Sequence, residues 1–292
     1  MSITTMNAPA AAAPAADVRP GGRRWRRPSP LHLLLVPVAL VMVTPLLWMV
    51  LLSISTEAET RRFPPGLPSG VQWHNYTDAL HDAPLGHWLG NSAIVSVSCV
   101  LGNLVFCSLA GYAFARIRFL GSRALFVAVL ATLMVPFQIV MLPTLIMVRA
   151  AGLTDTLGAL IVPNLATAFG IFLLRQFFMT VPRELEEAAR IDGASRLRIL
   201  FQVMLPLMRP TLATLAVLTF LQTWNDFLWP LIAVQNPDHM TVQLGLQTFQ
   251  GSHTTNWPRL MAGTVISQLP VFVLFFVAQR FFVRSVATAG LK

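Results

Sequence analysis

Lysine is nearly missing from this chain. Of 21 basic residues only Lys292 is a lysine, and the rest are arginines. A phosphate-binding P-loop needs a Gly-Lys-Ser/Thr turn, so the chain has no nucleotide site of that kind. If ATP drives this protein, another chain binds it. Charge is scarce too. Only 11% of the residues are charged, against about 25% in soluble domains, which excludes an ordinary soluble domain. Within the long apolar stretches Asp226 is the only carboxylate. An ion-coupled carrier would therefore have one candidate residue and no coupling network. No apolar stretch holds a paired Glu/His or Ser/His constellation, which argues against a membrane-embedded enzyme. Cysteine is limited to Cys99 and Cys107, both in one apolar stretch, where they read as small buried hydrophobes. The spacings of His74, His81 and His87 suit neither a zinc helix nor a zinc finger, so no metal is assigned.

Apolar residues are what the chain has in excess, at 55% with a mean hydropathy of +0.64. Six stretches, 31–54, 89–114, 124–148, 157–179, 211–234 and 260–283, are long enough to cross about 30 Å of hydrocarbon as helices. The expected fold is an all-α polytopic membrane protein, with a transmembrane body over 31–292 in contact with lipid. Residues 1–30, rich in Ala and Pro and ending in a basic cluster from Arg23 to Arg27, read as a disordered tail. A signal peptide fits less well, because 31–54 exceeds an apolar signal core and no small-x-small cleavage site follows. Pro136 and Pro143 in the third stretch and Pro163 in the fourth suggest kinked helices along a cavity. Arg175, near the end of the fourth, is expected to snorkel to the interface.

The net charge of +9 does not mark a nucleic-acid surface. With an inside N-terminus, the tail, the loop 116–123, the connection between the fourth and fifth spans and the C-terminus share one side. They carry nearly all the arginines, leaving Arg61, Arg62, Arg149 and Arg259 opposite. The basic residues thus set topology and place that connection, with both termini, in the cytoplasm.

The same connection is the most ordered polar stretch in the sequence. Thr180 can cap a helix that opens with Pro182, and Glu184, Glu186 and Glu187 favour its first turns. Gly193 supplies a left-handed stop. Ser195 can cap a second helix in which Leu197, Leu200, Phe201 and Met204 form one face, with Pro206 and Pro210 closing it. The reading is a helix–turn–helix elbow. The positions Glu187, Ala188, Ala189, Asp192, Gly193, Val203, Leu205 and Pro206 resemble the EAA loop of ABC-importer permeases, with Val203 where the family usually has Ile.

Further stretches carry the likeness. Trp88 to Ser92, Ala110 to Arg116, Phe172 to Phe178, Trp224 to Pro230 and Gln279 to Arg284 resemble the second, maltose-type permease subunit of carbohydrate importers. The resemblance implies a bacterial inner-membrane subunit that is not itself an enzyme and binds no cofactor. It implies a second homologous permease, two ATPase subunits binding ATP-Mg, and an extracytoplasmic solute-binding protein that delivers a sugar. It also implies that the elbow docks on the ATPase. An amino-acid or peptide permease is the nearest alternative. Trp224, Asn225 and Asp226 form a polar cluster in the fifth span. They either line the sugar path, with the indole stacking on the solute, or satisfy backbone groups near Pro230.

Overall fold

The computed structural model describes residues 31–62, 66–250 and 255–289. The tail 1–30 with its basic cluster lies outside the described residues, as do Lys292 and the side chains of Arg280 and Arg284. Among the described residues there is no β-strand, and the regular elements are helices. Leu33–Ser53, Leu85–Arg116, Leu157–Thr180 and Trp257–Gln279 are each long and apolar enough to cross a membrane. Two bent pairs, Ser122–Thr132 with Phe137–Ala150 and Arg196–Leu207 with Arg209–Trp224, bring the number to six if each is one crossing. The architecture is all-α and polytopic.

The chain divides into two units, with the division between Leu46 and Leu47. In the first, the helix exposes Leu33, Leu40 and Met42 on different sides, as a helix without a polar face does in lipid. The second unit contains the packed core.

Proline decides where its helices break. The third span is not the single kinked helix expected over 124–148; its two halves meet at 106°. Pro136 lacks an N–H and would clash with the carbonyl four residues back, Thr132, where the first half ends. The fifth span also departs from the expected continuous helix over 211–234. Arg209–Trp224 stops and Leu228–Ala233 restarts, because Pro230 would leave the Asp226 carbonyl without its helical donor. In the fourth span Pro163 forces a turn of 3₁₀-helix, Val162–Asn164, before the helix resumes behind the Thr167 cap.

Carbonyls freed at the break of the fourth span find partners on other spans, as an apolar solvent demands. Pro163 deprives the carbonyl of Ala159, which instead accepts the Trp229 indole N–H at 3.0 Å. Asn103 is fully buried in a wide π-turn, Asn103–Cys107, in the second span. Its amide donates to Asn164 O at 2.7 Å, and its oxygen accepts from the Thr167 hydroxyl at 2.8 Å. Cys99 and Cys107 are free thiols with no exposed surface, directed at the Ile161 and Thr167 carbonyls. Packing is extensive between Ser108–Arg116 and Ala168–Thr180. A Cβ on Gly111 would lie 3.1 Å from the Arg175 backbone N and 3.2 Å from Leu174 Cβ. Arg175 is half-buried, and its guanidinium carbon lies 4.0 Å from the centre of the Phe126 ring, a cation–π contact between the fourth span and the first half of the third.

Candidate functional site

The elbow forms, with a different N-terminal device from the one the sequence suggests. Its first helix is Glu184–Ile191, preceded by Arg183 without a side-chain cap. Thr180 is instead the last residue of the fourth span, where its hydroxyl donates to Phe177 O. The three residues Val181, Pro182 and Arg183 intervene, so a cap at Thr180 would be too far from the new helix. The other end matches expectation. Gly193 has φ +80°, its N–H meets Arg190 O at 3.0 Å, and Ala194 N–H meets Ala189 O at 2.9 Å. Those two bonds make a Schellman stop. Ser195 then caps the second helix through Arg198 N–H.

The buried face of that second helix differs from the 3.6-residue expectation. Ile199, Leu200 and Met204 have no exposed surface, while Leu197 and Phe201 are 60% and 50% exposed. Ile199–Met204 is a π-turn, which widens the winding and rotates Leu197 and Phe201 off the core face. The wide turn immediately precedes Pro206, whose missing N–H would leave a gap in a regular helix. Leu205 is half-buried against the core and Pro206 is exposed.

Glu187, Ala188 and Asp192 are exposed, whereas Ala189 is half-buried and packs inward. The buried carboxylate is the preceding one. Glu186 Oε1 lies 2.8 Å from Arg116 Nε, both side chains 5% exposed. The contact is an ion pair without an aligned hydrogen bond. Tyr112, one turn earlier on the second span, donates to Glu186 Oε2 at 3.3 Å, and Arg190 lies 3.7 Å away. Arg116 also donates to Phe178 O and Val181 O, each at 2.5 Å. Beside this junction a cavity of about 310 Å³ is lined by Glu186, Glu187 and five arginines, Arg116, Arg118, Arg183, Arg190 and Arg196. The sequence reading took Arg116 as a topology marker. The signal available was its place at the end of the 110–116 stretch, one turn after Tyr112.

The polar trio in the fifth span separates. Trp224 is 2% exposed, stacks on Phe220 at 5.2 Å and donates its indole N–H at 3.0 Å to Ser267 O in the last helix. It is a core residue. Asn225 is exposed and donates to Leu221 O at 2.8 Å. Asp226 alone reaches a cavity of about 380 Å³, together with Thr144, Asn164, Gln222, Phe137 and Trp229. One Asp226 oxygen accepts from Trp229 N–H at 3.3 Å. The cavity thus combines residues from the second half of the third span, the break of the fourth and the end of the fifth. Gln222, two residues before the helix ends at Trp224, lines the same cavity as Asp226, which the sequence reading did not use.

Comparisons with known proteins agree with this architecture. The family model described as binding-protein-dependent transport system inner membrane component matches residues 104–288. The arabinooligosaccharides transport system permease protein AraQ of Halalkalibacterium halodurans is 37% identical over 259 residues, covering 87% of this chain and 93% of that protein. The sn-glycerol-3-phosphate transport system permease protein UgpE of Pectobacterium atrosepticum is 36% identical, covering 75% and 80%. The lactose transport system permease protein LacG of Rhizobium radiobacter is 34% identical, covering 84% and 90%. A chain in the crystal structure of a bacterial ABC transporter involved in the import of the acidic polysaccharide alginate superposes with a TM-score of 0.77 at 27% identity, covering 86% and 95%. By sequence over most of its length and by fold, this chain belongs to the binding-protein-dependent transport system inner membrane components, the permeases of ABC importers.

Proposed function

We propose that this permease carries a neutral sugar as one half of a transmembrane path driven by a separate ATPase. The observation that carries the reading is the cavity at Asp226. One carboxylate, the amides of Gln222 and Asn164, and the Thr144 hydroxyl line it beside Phe137. Such groups accept from and donate to sugar hydroxyls, and an aromatic ring offers an apolar wall. No arginine or lysine is among the lining residues, so a phosphate or carboxylate on the solute would face Asp226 without a compensating cation. The relatives named for arabinooligosaccharides and lactose support a sugar. Those named for glycerol-3-phosphate and alginate extend the range to anions, and the charge of the cavity favours the neutral class.

The elbow serves as the docking element for the ATPase. Glu187, Ala188 and Asp192 face outward, and Leu185, Ile191, Leu197 and Phe201 present exposed apolar surface nearby. Exposed ion pairs contribute only about 0.2–1 kcal/mol, so apolar burial and shape carry the docking. Two ATPase subunits holding ATP-Mg, an extracytoplasmic solute-binding protein and a second permease complete the importer. The break in the third span supports the second permease. It exposes Leu133 and Met134 where the helix is interrupted, and interrupted backbone at membrane depth needs protein or water over it. The elbow and both termini lie in the cytoplasm, following the arginine distribution.

Inactivating this chain in its host and measuring uptake of labelled neutral oligosaccharides, sugar phosphates and uronates tests the reading. Loss of one neutral sugar is expected. Loss confined to an anionic solute, or to an amino acid, would overturn it.

A further inference from the structure

We infer that Arg116 is a positioning residue that clamps the elbow to the ends of the second and fourth spans, so that elbow movement reaches the second span directly. The inference rests on the elbow being the ATPase docking element, and goes beyond it by naming the path of the movement.

The covalent route from the fourth span to the elbow is weak. Ala168–Thr180 ends, and Val181, Pro182 and Arg183 follow without regular structure before Glu184–Ile191 begins. A three-residue connection can swivel, and motion of the elbow would be lost there. Arg116 bridges that connection. Its guanidinium takes the carbonyls of Phe178 and Val181 on the near side and the Glu186 carboxylate on the far side. Phe178, Val181 and Glu186 are all buried, at 0%, 8% and 4% exposure. A planar fork with several donors can hold a carboxylate and two carbonyls together, which a lysine's point charge cannot. The carbonyls belong to a helix end, where a cation is favoured.

Arg116 is itself the last residue of the helix Ser108–Arg116, so the clamp places the second span in the same rigid group. Tyr112, one turn earlier, adds a second tie to Glu186. Between those two residues and the fourth span the backbones approach closely at Gly111. A buried ion pair is a poor device for stability alone, since apolar packing of similar volume often serves as well or better. Its geometry here fixes direction: three chain segments meet at one guanidinium. Glu187, by contrast, points away from this junction's core and is free for a partner.

The test uses the full importer, with both permeases, the ATPases and the solute-binding protein, reconstituted in lipid vesicles. ATPase subunits retained per permease and ATP hydrolysed per solute carried are measured for Glu186→Gln, Arg116→Lys and Tyr112→Phe. Glu186→Gln and Arg116→Lys are expected to retain the ATPase while the ATP used per solute rises roughly fivefold or more, the low end of typical coupling factors between sites. Tyr112→Phe should shift the ratio in the same direction by less. An unchanged ratio in whichever of these variants insert, or transport that falls only in step with the amount of assembled importer, would overturn the clamp. Failure of the docking reading looks different. In that case Glu187→Arg and Gly193→Val would leave ATPase retention unchanged.

Discussion

Gly245 lies flat against the indole of Trp88, and a Cβ at that glycine would overlap Cε3 and Cδ2 and stand 2.7 Å from Cζ3. The indole has little room to move. It is 2% exposed and its N–H is held by Pro237 O at 3.1 Å. Gly245→Ala is therefore expected to destabilise the permease by about 1–3 kcal/mol, the usual cost of overpacking. Thermal inactivation of the detergent-solubilised importer measures it. A variant as stable as the parent would show that the helix Val242–Leu246 is not seated on the second span.

Gly193 presents the opposite case, because nothing lies within 4 Å of the position its Cβ would take. Conformation and not space is limiting at φ +80°. Gly193→Asn should be close to neutral, since Asn tolerates the left-handed region. Gly193→Val should cost roughly 1–2 kcal/mol locally and release the ATPase while leaving membrane insertion intact. Co-purification of the ATPase with each variant decides between strain and bulk. Equal retention by the two would remove the turn from the coupling function.

At the cavity, Asp226→Asn preserves shape and removes charge. The expected outcome is a changed apparent affinity for the sugar and stronger inhibition by anionic sugar analogues, with assembly intact. Gln222→Ala should weaken uptake in the same assay. Trp224→Phe should lower stability through the lost bond to Ser267 O without altering solute preference. If Asp226→Asn instead prevents assembly, and the complex that remains keeps its preference, the carboxylate serves the backbone of the broken fifth span.

Two carboxylates outside the long apolar helices make a pH prediction. Hydrogen bonds from the Ser69 hydroxyl, Thr56 N–H and Ser69 N–H hold Glu59 near a pKa of about 2, down from an ordinary 4.5. Asp155 is lowered as well, by the N–H groups of Asn236 and Gln235 at 2.8 and 2.9 Å. A carboxyl whose folded pKa is depressed stabilises the fold above its unfolded value, and that contribution disappears as pH falls through the folded value. The clasp between 56–60 and Ser69 should therefore hold at neutral pH and loosen between about 4.5 and about 2. Hydrogen exchange of those segments, corrected for intrinsic rates, follows it. In Glu59→Gln the protection should be low and independent of pH over that range.

Much of this molecule is written locally. Apolar length alone places the crossings, because lipid leaves a backbone no partner but its own helix. Gly193 and Ser195 mark the elbow's turn because capping is a contest among immediate neighbours. Pro136, Pro163 and Pro230 mark breaks for the same reason, although the sharpness at Pro136 exceeded a kink. The breaks also give the two tryptophans of the 224–230 run different partners. Trp229 and Trp224 share a stretch of sequence, yet Trp229 fills the gap that Pro163 leaves in the fourth span while Trp224 donates to Ser267 O in the last helix. Only packing brings those carbonyls to them.

The clamp lay beyond sequence for a similar reason. Arg116 ends an apolar span, as a topology-setting arginine would, and Glu186 is one of three acids in the first turn of the elbow helix. Nothing local distinguishes Glu186 from Glu187, whose neighbour it is. The fold separates them by helical phase, turning one carboxylate into a core that contains Tyr112 and leaving the next in solvent. The π-turn at Ile199–Met204 shifts the phase of the second elbow helix in the same manner, so that Leu197 and Phe201 leave the buried face that a regular period assigns them. Sequence determined that this chain spans a membrane and carries an ordered elbow, because those properties follow from composition and near neighbours, while its likeness to a known family marked it as a permease. Tertiary structure alone decided which charges are buried and which polar groups meet at the cavity, because partners as far apart as the 74 positions between Tyr112 and Glu186 are chosen by the packing of whole helices.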